Sequence, residues 1–236
     1  MMPVAILAGG LGTRLGSLTQ DTPKSLIKIN KIPFIDWQLS YLKSQGITKV
    51  VICVSYKAED IVNHLKSRLY QGVEIKYSYD NPENNGTGGA IKNALPYLGE
   101  KFMVMYGDSY LPVRYESIIE SFNKNNYDAM ITVYKNNSKH DKSNVKYLRD
   151  GSLYYKKSSS EKGLNFIDYG LNFFSASIFN NLPQIGFLDL SNVLENLSEK
   201  KRLASYEVSE RFYEIGSLQG IMDLSKFLRE KNVNIQ

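Results

Sequence analysis

The chain begins with an uninterrupted apolar run, Val4–Leu7, that is cut off by glycines, and the same figure recurs through the first half. Short apolar runs without polar alternation suit strands that are covered on both faces. Residues 50–54 and 102–106 read this way, and 73–77 is a further strand. Between them the period lengthens to that of a helix. Residues 33–45 carry Phe34, Ile35, Leu39 and Leu42 near helical spacing and close on Gly46; 59–69 is a second helix; 86–98 starts as a glycine turn and continues with Ile91 and Leu95 on one face. Such alternation predicts an α/β fold: a doubly wound, mostly parallel (mixed) sheet with helices on both faces.

The second half is less regular. A helix at 115–124 and a strand at 129–134 lead into a polar loop, 135–143. Strands at 145–148 and 152–155 flank Arg149-Asp150-Gly151, where Asp-Gly signals a hairpin turn. A strand at 169–175, a helix at 188–200, a strand at 211–215 and a final helix from about Ser217 complete the reading. No internal repeat or low-complexity linker divides the chain, so 1–236 reads as a single domain.

In doubly wound sheets ligands bind beyond the carboxyl ends of the strands, and the residues there carry the candidate chemistry. After the first strand comes Leu7-Ala8-Gly9-Gly10-Leu11-Gly12-Thr13-Arg14, with Pro23-Lys24 further on. Glycines let backbone N–H groups approach anionic oxygens closely, Thr13 can donate a hydroxyl, and Arg14 and Lys24 supply positive charge, which together suit a polyphosphate. A Walker A loop is excluded because no lysine follows the last glycine, and a dinucleotide fingerprint because its third glycine would be Leu15. The strand at 102–106 ends in Gly107-Asp108, whose carboxylate can enter a cleft past a residue without a side chain, although Asp-Ser-Tyr-Leu-Pro is also turn-like.

Composition narrows the classes. The formal charge of +5 comes from scattered lysines with no nucleic-acid-binding motif, so nucleic acid is not expected as a partner and small anionic substrates are. The one cysteine, Cys53, rules out an internal disulfide and lies within an apolar strand, while His64 and His140 are too far apart to suggest zinc. No apolar run approaches the roughly 20 residues of a membrane span, and no charged leader with a cleavage site precedes the first strand; a soluble, cytoplasmic protein is expected.

The pattern Gly-Gly-x-Gly-Thr-Arg-Leu at 9–15, with Pro23-Lys24 about ten residues later, resembles the sugar-1-phosphate nucleotidyltransferases, or nucleotide-sugar pyrophosphorylases, which share a Rossmann-like nucleotidyltransferase fold. Within that family the look is that of bacterial enzymes acting on heptose, mannose or N-acetylmuramate 1-phosphates. The resemblance implies condensation of a nucleoside triphosphate with a sugar 1-phosphate, assisted by Mg2+, with guanosine as the preferred base. It makes Arg14 and Lys24 catalytic and assigns nucleotide contacts to Leu7, Ala8, Gly9, Gly10, Gly12, Thr13, Gly86, Thr87, Gly88 and Gly107.

The resemblance places the metal on Asp108 and on Glu214, which stands where relatives usually carry aspartate; its extra methylene shifts the ion or interposes a water. Lys157, Asp168, Gly170 and Asn144 would meet the sugar phosphate, and Asn84-Asn85 reads as a turn before the base-binding glycines. Residues 1–112 would then form mainly the nucleotide half and 113–236 mainly the sugar-phosphate half. A phosphate monoester with a second pKa near about 6 is already an ionised nucleophile, so no catalytic base is required.

Two alternatives stay open at this level. A cytidylyltransferase acting on phosphocholine or another non-sugar phosphate could use Tyr110, Tyr169 and Asp168 around the cation. A non-catalytic regulatory subunit would be expected to have lost the loop arginine, the lysine or the Gly-Asp, and all are present. The sequence leaves a homo-oligomer possible.

Overall fold

The computed structural model describes residues 2–10, 15–16, 22–68, 70–80, 86–158, 161–180, 182 and 186–233. The first half runs β1 (Val4–Leu7), a 3-10 turn (Lys24–Leu26), β2 (Lys28–Ile29), β3 (Ile32–Pro33), α1 (Phe34–Ser44), β4 (Lys49–Val54), α2 (Ala58–Lys66), β5 (Glu74–Tyr79), α3 (Thr87–Leu98), β6 (Lys101–Tyr106) and β7 (Ser109–Tyr110). The second continues with α4 (Tyr115–Lys124), β8 (Ala129–Lys135), β9 (Val145–Tyr147), β10 (Leu153–Tyr155), β11 (Phe166–Ser175), α5 (Ser177–Asn180), α6 (Leu190–Glu199), β12 (Leu203–Val208), β13 (Tyr213–Glu214) and α7 (Leu218–Glu230).

Nine of these strands form one mixed sheet. Its larger parallel part is β6-β1-β4-β5; β11 joins β6 antiparallel and carries β8 and β9 beyond it, and β12 runs parallel to β8. The apolar runs now have a reason. In β1, Val4 and Ile6 face α1, α2 and α4, packing with Ile35, Leu39, Ile61 and Ile118, whereas Ala5 and Leu7 face α3 and α6, packing with Ile91, Ala94 and Leu194. Both faces are buried, so polar alternation disappears. A third cluster joins Phe34 and Trp37 of α1 to Tyr110, Ile215 and Leu224 of α7, and so seats the small β7–β13 ribbon beside the sheet.

The structure departs from the sequence reading at a few elements. β12 departs from the expectation, because Ala204, Ser205 and Glu207 dilute its apolar pattern at a sheet edge where, among the described residues, it pairs with β8 alone. β11 starts at Phe166 and not at 169, since its first residues are recruited by the ends of β8 and β9. The expected strand at 211–215 shortens to Tyr213–Glu214, enough for one ladder with β7. Among the described residues no helix is long and apolar enough to cross a membrane.

Candidate active site

The carboxyl ends of β1, β4, β5 and β6 open on a cleft of about 500 Å³. Its floor is the chain leaving β1, Leu7 to Gly10, and its walls include Lys24, Asp80, Gly86, Thr87, Gly107 and Asp108. Most of the described nucleotide-side residues singled out from the sequence therefore meet in one place. Gly12, Thr13 and Arg14 lie outside the described residues.

Close backbone approach explains two of the glycines. A Cβ on Gly107 would stand 2.4 Å from the Leu7 carbonyl oxygen, which accepts the Gly107 N–H at 3.0 Å. A Cβ on Gly9 would stand 2.9 Å from that of Ser55. Gly88 has a different role from the one expected. Its Cα faces Leu188, where a Cβ would come within 2.7 Å of Leu188 Cγ, and the N–H groups of Gly88 and Gly89 donate to the Leu188 carbonyl at 2.8 and 3.1 Å. Those amides are committed to packing α3 against the approach to α6.

Lys24 and Asp108 form an ion pair at the cleft, with Nζ 2.6 Å from Oδ2. The lysine projects from the 3-10 turn behind Pro23, and the aspartate from the turn between β6 and β7. A phosphate oxygen entering here competes with Asp108 for the ammonium, and a cation competes with Lys24 for the carboxylate. Magnesium takes one or two protein carboxylates and completes its shell with water and phosphate oxygens. Asp108 is a donor of that kind on the cleft wall, so the residues present fit the ion. Glu214 is bound to the same turn through backbone: Ile215 N–H donates to the Asp108 carbonyl at 2.9 Å, and Glu214 lies opposite Ser109 in the ribbon. Its carboxylate, however, is turned to the start of α7, accepting from the Gly216 N–H and from Ser217 Oγ.

The acceptor-side residues adjoin this cleft at a β-bulge. Between Asp168 and Asn172 the β11–β8 register shifts, and Gly170 takes φ +95°, which a side chain would resist. The Gly170 Cα faces Tyr106 and Ser109, the residues flanking Gly107-Asp108. Asn144 Oδ1 accepts the Asp168 N–H at 2.9 Å, and the Asp168 carboxylate accepts the Gly170 N–H at 2.9 Å and bonds the Asn172 amide. Burial pushes the Asp168 carboxyl up to about 6 despite those bonds. Lys157 is held elsewhere than expected, with Nζ 2.7 Å from Asp189 Oδ2. Burial works against the charge of Asp189, yet Lys157 and the Ser191 N–H and hydroxyl hold it below the usual carboxylate range. Asp189 also accepts from Thr87 Oγ1 at 3.3 Å, so a lysine of the acceptor side and a threonine of the nucleotide side share one carboxylate.

Three residues were missed. Asp80 lines the cleft at the end of β5, where burial raises its carboxyl and the Ser55 hydroxyl opposes that shift. Its place at a strand end is the one Asp108 has, but Tyr79 and not a glycine precedes it, and the strand, expected to end at 77, runs to Tyr79. Tyr106 lines the same cleft with its phenol pushed far up by burial and by Asp168, Tyr155, Asp189 and Asp108 around it. Asp189, as the N-cap of α6, carried only the helix-start signal. Tyr110 and Tyr169 are 2% and 1% exposed within the core, so neither is free to enclose a cationic acceptor.

Known proteins match nearly the whole chain. The profile of the nucleotidyl transferase family (NTP_transferase) matches residues 4–231. D-glycero-alpha-D-manno-heptose 1-phosphate guanylyltransferase of Campylobacter jejuni is 31% identical over 218 residues, covering 91% of this chain and 95% of that one. N-acetylmuramate alpha-1-phosphate uridylyltransferase of Neisseria meningitidis is 26% identical, covering 92% and 94%. The crystal structure of HddC from Yersinia pseudotuberculosis complexed with GMP-PN superposes with a TM-score of 0.80 at 28% identity, over 97% of this chain and all of that one.

Proposed function

From the premise that this chain belongs to the nucleotidyl transferase family, we propose that the cleft joins a nucleoside triphosphate, preferentially GTP, to a heptose or hexose 1-phosphate, giving a nucleoside-diphosphate sugar and pyrophosphate. The observation that carries this reading is the convergence of the post-β1 glycines, Lys24 and Asp108 on one cleft at the carboxyl ends of the parallel strands.

An oxygen of the sugar 1-phosphate attacks the α-phosphorus, a new P–O bond forms, the bond to the β-phosphate bridging oxygen breaks, and pyrophosphate leaves. The nucleophile is already ionised, so the protein's task is to bring two anions together and to stabilise charge on the departing group. Lys24 supplies that charge, with Arg14 as its expected companion. Asp108, with Glu214 adjacent in the ribbon, would hold a magnesium ion, which would neutralise charge on the triphosphate. Asp168, presented by the bulge and oriented by Asn144, accepts hydrogen bonds from sugar hydroxyls, and Lys157 leaves Asp189 for the sugar phosphate. The first half of the chain thus serves mainly the nucleotide and the second mainly the sugar phosphate.

Asp80 supports the choice of guanine. Guanine alone among the bases presents two adjacent donors, N1–H and the 2-amino group, on one edge, and the Asp80 carboxylate on the wall of the same cleft offers acceptors that match them. The guanylyl relative and the guanine-nucleotide complex point the same way, while the uridylyl relative keeps the base a matter for experiment. The test is pyrophosphate release over four nucleoside triphosphates crossed with several sugar 1-phosphates. The reading expects release from GTP with a heptose or hexose 1-phosphate; no release from any pair would overturn it, and a preference for UTP would overturn the base assignment alone.

A further inference from the structure

We propose that Gln38 is a positioning residue: through its side-chain amide, α1 holds the Asp108 turn and the Lys24 turn in fixed relation. The inference rests on the reading of Asp108 as the metal-holding residue and goes beyond it to what sets that residue in place.

Gln38 is 1% exposed on a helix face otherwise filled by Phe34, Ile35, Leu39 and Leu42. Its Nε2 donates to the Tyr106 carbonyl at 3.1 Å and to the Ser109 carbonyl at 2.9 Å, the two carbonyls that bracket Gly107-Asp108. Gly107 N–H is held by Leu7 and the Asp108 carbonyl by Ile215 N–H, so the turn is fixed from α1, from β1 and from the segment after β13. The neighbouring residue anchors the opposite partner. Trp37 Nε1 donates to the Ile29 carbonyl at 3.0 Å, and Phe34 N–H to the Ile27 carbonyl at 2.9 Å, which ties α1 to the chain that leaves the Lys24–Leu26 turn. One helix therefore grips both supports of the 2.6 Å Lys24–Asp108 pair.

Gln38 Oε1 is buried and has no hydrogen-bond partner among the described residues. An amide kept in an apolar layer with its oxygen unsatisfied is unfavourable for stability, while an apolar side chain there would take one hydrogen bond from each of the two carbonyls, the Ser109 bond being buried. The helix pattern alone calls for an apolar residue at this position, and the two donated bonds account for the glutamine.

The experiment compares the parent with Gln38→Met, which keeps an unbranched side chain and removes both donors, and Gln38→His, which keeps one ring N–H. Binding of Mn2+ in the presence of a non-hydrolysable GTP analogue is followed by electron paramagnetic resonance, and exchange of the Gly107 and Ile215 amides by hydrogen–deuterium exchange. Loss of a residue that orients a metal ligand typically weakens binding or activity about 10–100-fold. The inference expects Gln38→Met to lose Mn2+ affinity within that range, to exchange faster at 107 and 215 than at core amides of β4, and to lose turnover with little change in KM for the sugar 1-phosphate. Gln38→His should recover part of the loss, and it stands as the working comparison if the methionine variant does not fold. A variant that melts earlier but binds Mn2+ like the parent, with unchanged exchange at 107 and 215, would overturn the inference. The Mn2+ and amide-exchange readouts need no turnover, so absence of pyrophosphate release in the parent would sink the proposed reaction and leave this inference separately decided.

Discussion

Gly107→Ala adds one methyl group at the point where β6 meets β1. The new Cβ would stand 2.4 Å from the Leu7 oxygen, a full 1.0 Å inside the 3.4 Å at which ordinary contact begins, and 2.8 Å from Ala8 Cα. Both obstacles are backbone, so no rotamer change relieves the overlap. The turn must move away from β1, which stretches the 3.0 Å bond from Gly107 N–H to Leu7 and works against the Leu7–Tyr106 register. Overpacking of this kind costs roughly 1–3 kcal/mol, and the weakened bond about 1 more. The same displacement carries Asp108, and misplacing a reacting constellation by about 1 Å can lower turnover roughly 100-fold. Urea melts followed by the fluorescence of Trp37, the only tryptophan, measure the first effect, and pyrophosphate release at saturating substrates the second. Gly10→Ala is the control: no described atom lies within 4 Å of its Cβ, so stability should hold while KM for the triphosphate rises. A Gly107→Ala protein within about 0.5 kcal/mol of the parent, the range of an ordinary surface substitution, and within a few-fold in turnover would refute the reasoning.

Other consequences can be measured independently. Lys24→Ala should fold normally and lose roughly 100-fold or more in turnover, as for removal of a transition-state donor; activity within a few-fold of the parent would contradict its role. Asp80→Asn replaces one of the two acceptor oxygens by a donor, so the preference for GTP over the other triphosphates should fall roughly 10–100-fold, read as ratios of kcat/KM; an unchanged ratio would remove Asp80 from base selection. Burial pushes the Asp168 carboxyl from 3.8 up to about 6, so the folded chain holds that proton more tightly than the unfolded one. Its contribution is therefore complete below about pH 4 and is lost as pH rises through about 6, by at most about 3 kcal/mol. Asp168→Asn should abolish that slope in melts taken across the interval, and parallel curves for the two proteins would count against it.

What could be read from the sequence follows from how local each signal is. The apolar runs of β1 and β4 announced themselves because both faces of the sheet are covered, and α4 spans the residues expected for it. The glycines after β1, Lys24 and the Gly107-Asp108 pair were legible because backbone approach and strand-end position are properties of a few consecutive residues. Asp80 escaped by a misjudged strand end of two residues, and Asp189 because its partners Lys157 and Thr87 lie far away in the chain. Of the segment expected at the base, Gly86 and Thr87 line the cleft, whereas Gly88 and Gly89 answer to Leu188, which no local pattern connects to them. Glu214 is expected to share a metal with Asp108, and the ribbon sets it opposite Ser109, but the direction of its carboxylate depends on the N-terminus of α7.

The most direct measurement of the central claim follows the two ends of the triphosphate separately. With GTP radiolabelled at the α-phosphate or at the γ-phosphate, and a heptose or hexose 1-phosphate present, the account predicts that the α label enters a nucleoside-diphosphate sugar while the γ label leaves in pyrophosphate. Transfer of the γ label to the sugar, or release of the α label as a nucleotide without any requirement for the sugar 1-phosphate, would contradict attack at the α-phosphorus and with it the account.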